Sequence, residues 1–233
     1  DKTHLVARPE GEGLQTSPVA SAEENLLRVA SEGSLDANGD VLLMTSFEFD
    51  GINDTAVRHS LLKKTSEQRR KWFEGVWRGV ASGAELLSVE IRPSDLRNTD
   101  EKLTAKTVVR LPEVLLRGRS GDALTLPFAT TSLSVANGIL DENTALEKRR
   151  FPLVLPCTAA TDETLRLTLN DSVAPVLSLP SSTTLSTPHS SYSFSRTIAC
   201  TNGVLTARRT MRVEDVNSDV ATYEALRNAR QDV

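Results

Sequence analysis

Aromatic residues make up only 4% of this 233-residue chain: six Phe, two Trp and two Tyr. An exposed stacking platform for sugar rings would have to consume the rings a core needs, which disfavours a carbohydrate-binding module. Charge of one sign is lacking too, since 27 basic and 31 acidic residues leave a net charge of −4. No basic stripe with interleaved aromatics runs along the chain, so an electrostatic nucleic-acid binder is not expected. No apolar run approaches the ~20 residues that span a bilayer, and no membrane span is expected. The chain opens on Asp1, so any targeting segment is expected to lie outside it.

Histidine and cysteine are scarce. His4, His59 and His189 are the only imidazoles, and Cys157 and Cys200 the only thiols. A Cys200–His189–Asp arrangement can be drawn, but neither cysteine lies at an expected helix N-terminus, where a thiolate is stabilised. No zinc spacing, phosphate-cradling loop or serine-hydrolase elbow is present. Asp36-Ala37-Asn38-Gly39-Asp40 spaces oxygen ligands as a calcium loop does. However, Val41 and Phe47 stand where that loop needs glycine and a bidentate glutamate, so a hairpin turn is expected. Catalytic, cofactor-binding and metal-ligating residues are therefore all expected to be none, and the chain not to be an enzyme. The cysteines are open to two readings: a disulfide closing a loop of about 40 residues, worth roughly 3–4 kcal/mol, or two small buried thiols.

What is present is strand punctuation. Residues 1–24, with Pro9, Gly11, Gly13 and Pro18, read as an extended leader or linker. LLRVASEGSL and VLLMTSFEF alternate apolar and polar residues on either side of Asn38-Gly39, a strong hairpin signal. Two helices follow, over about residues 53–82. Gly51 permits the backbone to turn out of the strand, and Asn53 or Asp54 is expected to cap the first helix. In TSEQRRKWFEGVWRGVASG, Thr65 and Gln68 fit a capping box and Gly83 a left-handed stop. Trp72, Phe73, Val76, Trp77 and Val80 share one face, so Trp72 and Trp77 are expected to anchor the helix on a sheet. The basic residues Lys63, Lys64, Arg69, Arg70 and Lys71 read as a solvated helix face.

Further strands are expected in ELLSVEI, KLTAKTVVRL, EVLLRGRS and DALTLPF, followed by an irregular connection over residues 129–147. RRFPLVLPC, TLRLTLN, PVLSLP, SSYSFSRTIAC and VLTARRTMRVED then recur at about ten-residue spacing. A last helix runs from Asn217 or Ser218 to Gln231. Tyr192 and Phe194 read as part of an edge strand. The expected fold is mainly β, of the α+β class. A β-sandwich-like domain with a helical hairpin (25–147) precedes a smaller sandwich with a C-terminal helix (148–233).

The order of THLVARPEGEGLQTSPVASAEEN, GSLDANGDVLLMTSFEFDG, NDTAVR, RRFPLVLPC and RRTMRVEDVNSDVATYEALRNAR resembles the β-rich accessory region downstream of the core in bacterial exported transglutaminase-like proteins. The resemblance covers nearly the whole chain. It implies a periplasmic or envelope location and, as partner, a transglutaminase-like core within the same full-length protein. It also favours pairing of Cys157 with Cys200. The family's Cys-His-Asp triad matches no segment here, so none of it is carried over and no cofactor is implied. The resemblance thus points to a non-catalytic accessory region. The competing expectations are an independent adhesion-type module that recognises protein or glycan and, third, a cysteine hydrolase using Cys200 and His189.

Overall fold

The structure is a computed structural model that describes residues 3–5, 11, 13–119, 121–170, 178–187 and 191–231, with the side chains of residues 3, 4 and 229–231 excepted. The segment expected to be an extended leader holds a small antiparallel ladder, β1 (Thr3–His4) with β2 (Gln15–Thr16). A 3-10 turn, Glu23–Asn25, leads into β3 (Leu26–Leu35) and β4 (Val41–Phe49). Apolar residues alternate along both strands, and this alternation sorts them between a buried and an exposed face. The β3–β4 turn is held by Asp36, whose carboxylate accepts from Asn38 N (2.8 Å) and Asp40 N (3.0 Å), while Gly39 takes φ +95°.

Helix α1 (Ile52–Leu61) and helix α2 (Ser66–Val80) follow, then β5 (Glu85–Arg92) and β6 (Thr104–Leu111). The capping box forms, with Gln68 N donating to Thr65 Oγ1 and Thr65 N donating to Gln68 Oε1. Gly83 is not the left-handed stop expected. The helix leaves through Ala81 in an extended conformation (φ −144°, ψ 123°). What Gly83 supplies is clearance, because a Cβ there would sit 2.6 Å from Pro112 Cγ.

The strands expected around residues 113–128 shrink to β7 (Leu115–Leu116) and β8 (Ala123–Leu124). The connection expected to be irregular is instead helical, α3 (Thr130–Leu133) and α4 (Val135–Asn143). Ser134 accepts from Asn137 N to cap α4, which buries Ala136, Ile139 and Leu140. Beyond it come β9 (Leu153–Val154), β10 (Ala159–Leu169), β11 (Thr183–Ser186), β12 (Tyr192–Thr201), β13 (Val204–Val213), β14 (Asn217–Ser218) and α5 (Val220–Gln231).

The fold is mainly β with the α+β layering expected, a sheet under helices. Eight strands form one mixed sheet in the order β11-β12-β13-β10-β3-β4-β6-β5. Every neighbouring pair is antiparallel except β3 with β10, which run parallel from Leu26 opposite Ala160 to Leu35 opposite Leu169. The boundary expected near residue 147 falls between α4 and β9, yet strands from both sides of it share this sheet. Its buried side chains gather in two main clusters. One packs β3–β6 against α1 and α2, and the other packs the β12–β13 end against α4 and α5. Tyr192 and Phe194 are buried in the second cluster. Their strand lies inside the sheet, where β11 takes the edge.

Candidate functional site

The abrupt change from strand β4 to helix α1 is built around backbone clearance. Gly51 adopts φ +53°, and a Cβ there would lie 2.2 Å from Asn25 Oδ1 and 2.4 Å from the Glu24 carbonyl oxygen. Only glycine fits that approach. Asn25 Oδ1 accepts from Ile52 N (2.9 Å), while its Nδ2 donates to Thr158 O (3.1 Å) and Thr158 Oγ1 (3.0 Å). Asn53 Nδ2 donates to Asn25 O at 2.7 Å. Through Asn25 the join is thus tied to Thr158, just before β10 and 133 residues beyond Asn25.

Asp54 does not cap α1; Gly51 stands at the N-cap, and the side chain that meets the helix start is Asn25, which takes Ile52 N. Instead Asp54 grips Arg58 one turn on, accepting from Nε (2.5 Å) and Nη2 (3.1 Å), and it also accepts from Leu103 N (3.2 Å). Arg58 Nη1 donates to Leu96 O (3.1 Å) and Asn98 O (2.8 Å), and Nη2 to Glu101 O (2.6 Å). Asp54 and Arg58 therefore pin the 96–103 loop to the helix. His59 is exposed, beside this network and not within it.

Trp77 is fully buried, as its place on the helix stripe predicts, and its indole N–H donates to Thr107 Oγ1 at 3.1 Å. It meets Phe47 edge-on at 6.3 Å between ring centroids. Trp72 is only partly buried and stands T-shaped against Phe73 at 4.9 Å. Not all of the neighbouring basic cluster is solvated. Arg69 Nε donates to the carbonyls of Leu61 (3.2 Å) and Lys64 (3.1 Å). Arg70 reaches across to the Leu86 and Leu87 carbonyls of edge strand β5.

The two thiols are free and belong to different cores: Cys157 packs with the second cluster and Cys200 with the first. Cys157 lies just before Ala159, which is level with Val213 and Tyr192 across the sheet. Cys200 sits eight residues beyond Tyr192 on β12. At about 3.3 Å per strand residue this places the thiols roughly 25 Å apart, against the ~7 Å limit on Cα separation for a disulfide. The pairing favoured by resemblance is therefore corrected by the register. Burial pushes the Cys157 thiol up, opposite to what activates a nucleophile. His189, drawn as the partner of Cys200, lies outside the described residues.

A residue that periodicity did not single out carries the most unusual chemistry. Glu163 projects from β10 into the interior with 1% of its surface exposed. It accepts from Ala129 N (2.6 Å), Thr130 N (3.2 Å) and Thr130 Oγ1 (2.5 Å) where α3 begins. Arg209, directly opposite on β13, approaches it at 3.4 Å and lays its guanidinium over the Phe128 ring, 4.6 Å from the centroid. Burial pushes the Glu163 carboxyl up, against the pull of Arg209 and the three donors. The signal in the sequence was a glutamate at an inward position of an alternating strand.

The opposite face of the sheet carries a shallow trough of about 690 Å³, with two neighbouring depressions of about 530 and 250 Å³. Thr164 borders all three and Ala30 and Ser46 border two of them, while Glu32, Met44, Lys106 and Arg166 also line the trough. Cross-strand ion pairs brace it: Arg166 with Glu32 at 2.7 Å, and Arg208 bidentate on Asp162 at 2.9 and 2.7 Å. Met44, 60% exposed, stands on the rim. The residues lining these hollows include no aromatic ring.

Among the described residues no His, Cys, Asp and Glu cluster could hold a metal ion, and no helix is long and apolar enough to cross a membrane. Asp36 and Asp40 are engaged by backbone N–H groups; Asp40 accepts from Glu113 N at 3.2 Å. Comparison with protein-family models, curated proteins and solved structures returns no match for the chain.

Proposed function

We propose that this chain is a non-catalytic accessory module of a bacterial envelope transglutaminase-like protein, with its open sheet face docking the protein's catalytic core. The observation that carries this reading is the trough around Thr164. A shallow, open face in which Ala30, Ser46 and Thr164 lie beside Met44, Lys106 and the cross-strand ion pairs suits contact with another surface. It offers breadth in place of depth, and Arg166 and Glu32 in its lining already hold each other. The resemblance of the segment order to the accessory region of transglutaminase-like proteins supports the choice of partner.

An independent adhesion module that binds protein or glycan is the second reading. The exposed face favours the protein form, and the ring-free lining disfavours the glycan form. Titrating a purified transglutaminase-like core against the chain separates these readings. Saturable association that weakens at least tenfold in Thr164→Arg and Met44→Asp variants is expected. Association indifferent to both substitutions removes the docking assignment. The non-catalytic assignment is tested by offering amide and peptide substrates to the chain alone. Turnover abolished by Cys157→Ser or Cys200→Ser overturns it.

A further inference from the structure

We propose that Arg196 and Arg209 form a receptor for an anionic group, a carboxylate or a phosphate, on the helix-covered side of β12 and β13. The inference is independent of the docking face, which lies on the other side of the sheet.

The antiparallel register sets Arg196 directly opposite Arg209, and Arg209 directly opposite Glu163. Like charges at directly opposed positions repel, because their Cβ atoms stand only about 5 Å apart. Among the described residues Glu163 is the carboxylate that pairs with Arg209, none pairs with Arg196, and Glu163 is already engaged. Glu163 Oε1 takes Ala129 N, while Oε2 takes Thr130 N, Thr130 Oγ1 and Arg209 Nη2. On its far side Arg196 faces Thr183 of β11, a neutral residue.

Arg196 Nε is buried without an acceptor. Among the described residues, Arg196 makes no ion pair and Arg209 bonds only through Nη2, to Thr130 Oγ1 and Glu163. Among the described residues no protein acceptor meets the remaining N–H groups of the two side chains, and Arg196 Nε is the one that is fully buried without a partner. A desolvated cationic donor without an acceptor is costly. Neighbouring side chains hold the arrangement. Phe194 and Ile198 flank Arg196 on its strand, and Phe128 lies under the Arg209 guanidinium. An oxyanion answers the whole deficit at once. Its oxygens match the fixed N–H fork of arginine, and its charge relieves the repulsion across the strand pair. The receptor would take either a free small anion or the acidic side chain of a partner, through the same chemistry.

The test follows the arginine Nε–Hε NMR signals and the melting temperature of the full chain. Inorganic phosphate and acetate are titrated separately, each against chloride at matched ionic strength. Saturable shifts of the Arg196 and Arg209 signals are expected, with a rise in Tm of about 4 °C at an anion concentration well above Kd. Arg196→Gln is expected to weaken binding at least tenfold, while Arg166→Gln on the opposite face leaves it unchanged. Response to phosphate alone assigns the phosphate class, and response to acetate assigns the carboxylate class. Signals that move no further in either anion than in chloride overturn the proposal, as does binding retained in Arg196→Gln. Should that variant fail to fold, Arg196→Lys keeps the charge but loses the fork, and undiminished binding by it also overturns the proposal.

Discussion

Arg58 and Arg196 are both arginines drawn in from the surface, and they have opposite hydrogen-bond histories. Arg58 has five N–H donors, and each finds an acceptor: two on Asp54 and one each on Leu96, Asn98 and Glu101. Arg196 has a buried Nε with none. The first is closed by its own chain. The loop that receives it is held by the fit, so its role is complete when folding is complete. The second lies beside another arginine, and the carboxylate of Glu163 next to that pair is already taken. Burial alone therefore does not mark an arginine as scaffold; the accounting of its donors does. Applied to these residues, that test assigns Asp54 and Arg58 to architecture and supports the receptor proposed at Arg196 and Arg209.

The contrast can be broken at either end. Arg58→Ala is expected to be the most damaging change, costing about 3–5 kcal/mol because a largely buried carboxylate and three loop carbonyls lose their donor. Chemical denaturation measures it, and a loss below about 1 kcal/mol would erase the distinction. Thr107→Val creates a neutral counterpart of the Arg196 defect, a buried Trp77 N–H without an acceptor. It is expected to cost about 1–3 kcal/mol by the same measurement.

Proton linkage sharpens the other end. With its carboxyl pushed up by burial, Glu163 contributes stability that is present below the ordinary carboxylate range. That stability is lost as pH rises through the raised value. The stability of the unsubstituted protein relative to Glu163→Gln is therefore expected to fall with rising pH above the ordinary carboxylate range. Denaturation at a series of pH values reads this slope, and a flat or opposite slope refutes the assignment. Arg196→Met, in anion-free buffer, is expected to be neutral or stabilising by about 1 kcal/mol, since an apolar side chain has no donor to leave unpaired. Arg166→Ala, on the exposed ion pair with Glu32, should change stability by about 0–1 kcal/mol.

Much of the first half was legible because its signals are local. Alternation in Val41–Phe49, the Thr65–Gln68 pair and the stripe through Phe73 and Trp77 each involve residues a few positions apart. Physical preference acts there before any distant contact forms. Legibility failed where one residue could serve two partners. Asp54 was a plausible cap by position, but an arginine one turn later and the Leu103 N–H outcompeted the helix terminus. Residues 129–147 lacked a clear period because their helices are short and interrupted at Ser134. The cysteines looked pairable because both lie in strand-like surroundings, and only the register places them toward opposite ends.

By itself the sequence determined the helical hairpin, most of the strands and the burial of Trp77, because side-chain period and capping chemistry act over a few residues. Tertiary structure alone decided that β3 and β10 run side by side with paired residues 134 positions apart, as Leu26 with Ala160, joining both halves in one sheet. It also decided that Glu163, Arg209 and Arg196 fall in one row. Such neighbours are chosen by strand order and register, which no stretch of residues encodes within its own length.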